Sequence, residues 1–245
     1  MIGGRLQGQL PLEGLDCYPW VMAFSIINLS AHNAQTVSRR YGLWVALVNA
    51  WIIIASPAWA EQVNIIAIGD SLTAGYGLAQ SDSFPAQLQA ALRAVGEEVR
   101  IINSGVSGDT SAGGRTRLAW ALSLKPDAVI LELGANDGLR GLDPGQTEAN
   151  LNEMITEIRA QALPVLLTGM LAPPNLGQEY SNEFNSLFQR LAKKHGVLFY
   201  PFFLEGVVAV PALNQTDGIH PNAAGVGEIV KRILPYVREL IGQVR

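Results

Sequence analysis

Five short apolar runs recur along the chain: Val63 to Ile68, Val99 to Ile102, Ala128 to Leu133, Val165 to Leu167 and Val197 to Tyr200. They are rich in β-branched residues and bounded by Gly, Pro or Asp, which predicts strands. Apolar residues fill consecutive positions instead of alternating, so both faces of each strand are expected to be covered, as in a parallel sheet. Between the runs the period changes. Leu151, Met154, Ile155 and Ile158 recur at helical spacing, and Phe184, Leu187, Phe188 and Leu191 repeat the pattern. A third amphipathic segment holds Phe84, Leu88, Ala91, Leu92 and Val95, and a fourth, after Pro221, holds Val226, Ile229, Val230 and Ile233. Alternating strands and helices predict a doubly wound α/β fold: a parallel five-stranded sheet with helices on both faces. In such folds, ligands bind outside the carboxyl ends of the strands.

The first sixty residues differ in character. Arg39 and Arg40 precede an apolar stretch from Tyr41 to Ala55, and Pro57 leads into Ala58, Trp59 and Ala60. A basic pair, a short apolar core and a small-x-small ending form a signal-peptide layout. The stretch is shorter than the ~20 residues a spanning helix needs. Residues 1–60 are therefore expected to be an N-terminal extension with a cleavable signal, cut after Ala60 and exported by the general secretory route. Residues 61–245 are expected to be one domain, periplasmic or secreted, with no stable membrane span after processing.

Composition narrows the chemistry. Apolar residues make up 49% of the 245 positions, which suits a folded domain with a core. Lys and Arg total 17 against 21 acidic residues, with no basic cluster, so nucleic acid is not an expected partner. The single cysteine, Cys17, lies in the leader. The domain accordingly has no thiol nucleophile, disulfide or Cys-ligated metal.

The polar residues of interest follow the strands. "GDSLTAG" succeeds the first, "NSGVSGDTSAGG" the second, "GANDGLRG" the third, and "DGIHP" comes late. Ser71 ends a buried strand where a helix begins, so its hydroxyl is either a nucleophile or a helix cap. A nucleophilic serine needs a base. His220 follows Asp217 by three residues, with Gly218 between and Pro221 after, so the carboxylate can reach the imidazole within one turn. His195, after Lys193 and Lys194 at a helix end, reads as a partner of the helix dipole. An oxyanion requires preplaced donors, and the N–H groups of Ser71 and Gly108 and the amide of Asn136 are candidates. Taken singly, Gly108 is equally a positive-φ position and Asn136 equally a turn residue.

Taken together, "GDSL" with Ser71, "SGD" with Gly108, "GAND" with Asn136 and "DGIH" with His220 resemble, in order, the four blocks of the SGNH or GDSL hydrolases. The resemblance spans residues 61–245, and is nearest to the bacterial periplasmic thioesterase, protease and lysophospholipase group and the secreted arylesterases. It implies a flavodoxin-like SGNH hydrolase fold with Ser71 as nucleophile, His220 as general base and acid, and Asp217 as its orienting carboxylate. Ser71, Gly108 and Asn136 would form the oxyanion hole. It implies no metal and no cofactor. The substrate would be a small acyl ester, thioester or lysophospholipid, hydrolysed through an acyl-enzyme, and the chain is expected to be a monomer. Asp70, Asp109 and Asp137 are expected to organise the loops. Leu139, Met170, Leu171, Pro173 and Pro211 could line an acyl groove, with Gly138 to Leu142 as a mobile edge. Carbohydrate deacetylation by the same fold and an inactive envelope-binding module are the alternatives. A flavodoxin-like cofactor binder is set aside because no G-x-G-x-x-G follows the first strand.

Overall fold

The computed structural model describes residues 62–245. The expected leader, its cleavage point after Ala60 and the first residue of the expected domain lie outside the described residues. Strands β1 (Val63–Gly69), β2 (Val99–Gly105), β3 (Ala128–Glu132), β4 (Val165–Thr168) and β5 (Leu198–Tyr200) form one parallel sheet. Their order is β2-β1-β3-β4-β5. Eight helices accompany them among the described residues. They are α1 (Ser71–Ala74), α2 (Phe84–Ala94), α3 (Ser111–Thr116), α4 (Leu118–Leu122), α5 (Ala135–Leu139), α6 (Pro144–Ala160), α7 (Gln178–His195) and α8 (Ala223–Gly242).

The strand order places helices on both faces. From β1 the chain moves outward to β2, then crosses back over β1 to β3 and continues in the opposite direction. Right-handed crossovers then carry α2 across one face and α6 and α7 across the other. α2 packs on α8, and α6 packs on α7. β1 and β3 are the central strands, and Ile65, Ile66, Ile68, Val129, Ile130 and Leu131 are wholly buried. Each such side chain contributes roughly 1.5–3 kcal/mol through removal from water.

β2 departs from expectation twice. It runs to Gly105, three residues beyond the apolar stretch, and Arg100 and Asn103 are exposed on it. This edge strand packs against α2, yet its mixed burial shows that it is not enclosed on both faces. Its ladder with β1 nevertheless continues through Asn103 and Ser104 to a Gly69–Gly105 pair. Gly69 also pairs with Glu132 of β3. Three strand ends thus stand level, and the loops leaving them converge.

Local signals set the longer helices. Asp143 caps α6 through the Gly145 N–H at 2.7 Å with Pro144 at the first position, and Asn222 caps α8 through the Gly225 N–H at 3.0 Å. Gly196, at φ 60°, ends α7. Among the described residues no helix is long and apolar enough to cross a membrane.

Candidate active site

Ser71 is the first residue of α1, and the cap is its neighbour: Asp70 Oδ1 accepts the Leu72 N–H at 2.9 Å. The Ser71 hydroxyl is therefore not needed for capping. α1 has only four residues, so little helix dipole bears on the serine. His220 Nε2 lies 2.9 Å from Ser71 Oγ, although 149 residues separate them. On the other side of the ring, His220 Nδ1 lies 2.6 Å from Asp217 Oδ2. Asp217 Oδ1 also accepts the N–H groups of Ile219 at 2.9 Å and His220 at 3.0 Å, a turn made possible by Gly218 at φ 69°. The backbone N–H of His220, its ring and the Ile219 N–H together lower the Asp217 carboxyl to about 2. It remains an anion throughout the range in which an imidazole titrates. The Nδ1 nitrogen must then be the protonated one, leaving Nε2 to accept from Ser71.

The three expected oxyanion donors differ in placement. Ser71, as the first helical residue, has no intrahelical acceptor for its N–H. Gly108 has φ 86°, which accounts for the glycine, and among the described residues its N–H has no acceptor. Asn136 lines the same groove as Ser71 and His220, whereas Gly108 does not. The Asn136 Nδ2 donates to the Asp109 carbonyl at 2.9 Å and to Asp70 Oδ2 at 3.2 Å. A carbonyl only accepts, so the amide nitrogen must face it. Stabilising an oxyanion would therefore require redirecting the hydrogen now given to Asp70.

The remaining expected residues divide. Asp137 is buried, accepting the N–H and hydroxyl of Ser111 at 2.8 and 2.5 Å and the Thr147 hydroxyl at 3.1 Å, which joins α5 to α3 and α6. Asp109 pairs with Arg117 Nε at 2.6 Å. Arg117 also donates to the carbonyls of Ser104 and Gly69, at 2.7 and 2.8 Å, bracing the ends of β2 and β1. Nothing in the sequence singled out this arginine. The residues from Gly138 to Leu142 are tethered: Arg140 donates to the Gly108 carbonyl at 2.9 Å and Tyr180 to the Leu142 carbonyl at 2.8 Å. His195 sits at the end of α7 with its Nε2 2.9 Å from Asn152 Oδ1. Burial, Lys194 and Arg159 lower its pKa, so at neutral pH it is an uncharged hydrogen-bond partner and not a cation at the helix end.

An apolar groove of about 490 Å³ opens beside Ser71. Leu139, Met170, Leu171 and Pro173 line it, as expected, joined by Phe202, Leu204, Val208 and Ile219. Pro211 does not belong to it. It borders a second depression with Ala209, Gln215 and Thr216, which shares Asn214 and Gly218 with the groove.

A buried carboxyl neighbouring Asp70 was also missed. Glu132, wholly buried at the end of β3, accepts the Thr73 hydroxyl at 2.7 Å and the Asp70 N–H at 3.3 Å through Oε2. Its Oε1 has no hydrogen-bond partner among the described residues. Burial, and then the Asp70 charge, push the Glu132 carboxyl well above its ordinary range. Burial pushes Asp70 up to about 6, against the opposing hydrogen bonds from Leu72 and Asn136.

An unfolded aspartate titrates near ~4, so between that pH and ~6 the native chain holds a proton the unfolded chain has released. Stability is thus expected to fall as pH rises through this window, by about 3 kcal/mol in all from this group. Asp70→Asn should abolish that fall. Urea unfolding of both proteins at mildly acidic and mildly alkaline pH checks it, and parallel pH curves would contradict the assignment.

Among the described residues no three His, Cys, Asp or Glu side chains gather as a metal site. Residues 67–226 match the GDSL-like lipase/acylhydrolase family. The chain is 39% identical over 193 residues to the esterase TesA of Pseudomonas aeruginosa, covering 78% of this chain and 95% of that protein. It is 39% identical over 164 residues to the thioesterase 1/protease 1/lysophospholipase L1 of Escherichia coli, covering 66% and 77% of the two. The crystal structure of AlinE4, an SGNH-hydrolase family esterase, aligns with a TM-score of 0.63 at 47% identity, over 73% of this chain and 96% of that one. A serine and an imidazole meeting at level strand ends, the family match over most of the sheet and the esterase relatives agree: the chain belongs to the GDSL-like lipase/acylhydrolase family and is an ester-bond hydrolase of the SGNH type.

Proposed function

We propose that Ser71 is the nucleophile of an acyl-enzyme mechanism directed at esters or thioesters with an apolar acyl chain. The observation that carries this is the continuous relay from Asp217 through His220 to Ser71, with Nε2 at 2.9 Å from Oγ at the edge of an apolar groove. That distance lies within the range for direct proton transfer. Ser71 Oγ attacks the carbonyl carbon and its proton passes to His220 Nε2. The Asp217 carboxylate stabilises the imidazolium. The developing oxyanion faces the N–H groups of Ser71 and Gly108 and the Asn136 amide, whose hydrogen turns from Asp70 toward the new charge. The intermediate collapses, His220 protonates the departing alkoxide or thiolate, and the same imidazole then activates water to release the acid.

The groove favours this substrate class over an acetylated sugar, since its walls are alkyl and aromatic and few polar groups are available to pair with hydroxyls. Residues 61–245 act as one exported, monomeric domain without a cofactor. An intact set of site residues speaks against an inactive binding module. Incubation with a p-nitrophenyl alkylphosphonate tests the reading. Stoichiometric release of nitrophenol, loss of ester hydrolysis and a label on the peptide carrying Ser71 are expected. A label elsewhere, or none in a protein that hydrolyses esters, would refute it.

A further inference from the structure

The turn carrying His220 belongs to no helix or strand, so nothing regular fixes its distance from Ser71. Gln215, a side chain outside the relay, helps to link the two. Gln215 is half-buried, two residues before Asp217. Its Nε2 donates to the Tyr76 carbonyl at 2.8 Å and to the Pro221 carbonyl at 2.9 Å. Its backbone N–H donates to the His220 carbonyl at 2.8 Å, and its own carbonyl accepts the Gly218 N–H at 3.0 Å. Gln215 thus closes the turn that bears the imidazole and joins it to a segment 139 residues earlier.

That earlier segment is itself referenced to the serine. The Tyr76 N–H donates to the Ser71 carbonyl at 3.1 Å. The Tyr76 ring packs on the His220 ring with centroids 4.6 Å apart and planes tilted by 38°. Gly77, at φ 73°, leaves free the space that the Gln215 carboxamide occupies, since a Cβ there would collide with Oε1. Two carbonyl oxygens can be satisfied at once only by a group with two hydrogens, and a primary amide supplies both.

We propose that Gln215 is a positioning residue of this hydrolase: its carboxamide clamps the turn bearing His220 to the segment after α1, holding Nε2 within proton-transfer reach of Ser71 Oγ. The inference rests on the roles given above to Ser71 and His220. A misplacement of ~1 Å in such a pair can lower turnover about a hundredfold. The Asp217–His220 bond, being internal to the turn, would survive loss of the clamp.

The test compares the wild-type chain with Gln215→Met, which keeps length but no donor, Gln215→Glu, which turns an anion on two carbonyl oxygens, and Gln215→Lys, which keeps donors. Asn222→Ala is the control, because Asn222 stitches the same loop to the carbonyls of Ala212 and Asn214 without reaching Tyr76. Hydrolysis of p-nitrophenyl butyrate, the rate of phosphonylation, thermal melting and the low-field imidazole N–H resonance are measured. Met and Glu are expected to lower kcat and the phosphonylation rate about tenfold to a hundredfold, with KM within about twofold and the resonance retained. Lys should recover at least about a third of wild-type kcat, and Asn222→Ala should melt earlier yet turn over within about twofold of wild type. If Met does not fold, the contrast of Lys with Glu decides.

Near wild-type kcat in folded Met or Glu variants, or an equal loss in Asn222→Ala, would overturn the proposal. A wild-type chain that neither hydrolyses esters nor takes the phosphonate would instead overturn the assignment of Ser71 and His220.

Discussion

Ser71→Ala is expected to hydrolyse p-nitrophenyl esters at least ~10⁴-fold more slowly than the wild type while melting at nearly the same temperature. The hydroxyl makes one side-chain contact, with His220, and α1 keeps its cap through Asp70, so the fold does not depend on it. Among the described residues no neighbour is placed to substitute. Thr73 is wholly buried and its hydroxyl is committed to Glu132, and Ser111 is held by Asp137. His220→Gln should cause a loss of the same order, and the double variant should be no slower than either single one, because nucleophile and base act as a unit. Steady-state rates with active-site titration check this. Retention of a tenth of the wild-type rate by Ser71→Ala would mean another nucleophile, and a multiplicative double variant would mean the two residues work apart.

Gly105→Ala should have the largest effect on stability. Gly105 ends β2 directly beneath α1, and a Cβ there would stand 2.7 Å from Ala74 Cα and 2.8 Å from the Thr73 carbonyl carbon, and closer still to Ala74 N. All three are backbone atoms, so no side chain can swing aside. Either α1 lifts, carrying Ser71 away from His220, or β2 slips and strains the ladder beside the Val106 N–H bond to the Gly69 carbonyl at 3.0 Å. A cost of about 3 kcal/mol or more follows from forcing backbone apart in a packed region. For a domain of this size that is roughly 10 °C of melting temperature. Gly96→Ala is the comparison: it has φ 87° and, among the described residues, nothing within 4 Å of the added carbon, so only the backbone penalty of about 1 kcal/mol applies. Differential scanning calorimetry of the two variants separates them, and equal melting points would show that α1 does not rest on Gly105.

The central strands and long helices could be read from the chain because burial on both faces leaves unbroken apolar runs and helix packing leaves a stripe. Helices α3, α4 and α5 could not, and α1 only as a helix start at Ser71, since four to six residues are too few to show a period. Asp70 and Thr110 cap α1 and α3 locally, and Gly134, at φ 116°, precedes α5. The polar end of β2 was likewise invisible, as Asn103 and Ser104 are held by the ladder to β1 and not by burial of apolar surface.

Of the site, the Asp217–His220 pair was legible because it is local, three residues apart. Glu132, Arg117 and Gln215 were not, because their meaning lies in bonds to Thr73 and Asp70, to Gly69 and Ser104, and to Tyr76. A faint signal existed for Glu132, a single carboxylate closing the otherwise apolar run "AVILEL". Pro211 was misplaced because an apolar residue in a loop does not reveal which of two adjoining depressions it borders.

The two carboxyls under the serine set the molecule's endurance against its speed. A catalyst whose base must be uncharged works best on the alkaline side, where the Asp70 carboxylate is ionised in a dry site and the stability its proton contributed is gone. Samples stored slightly sour and assayed slightly basic should therefore outlast those kept at their working pH, and thermal inactivation during long assays should quicken just as turnover rises.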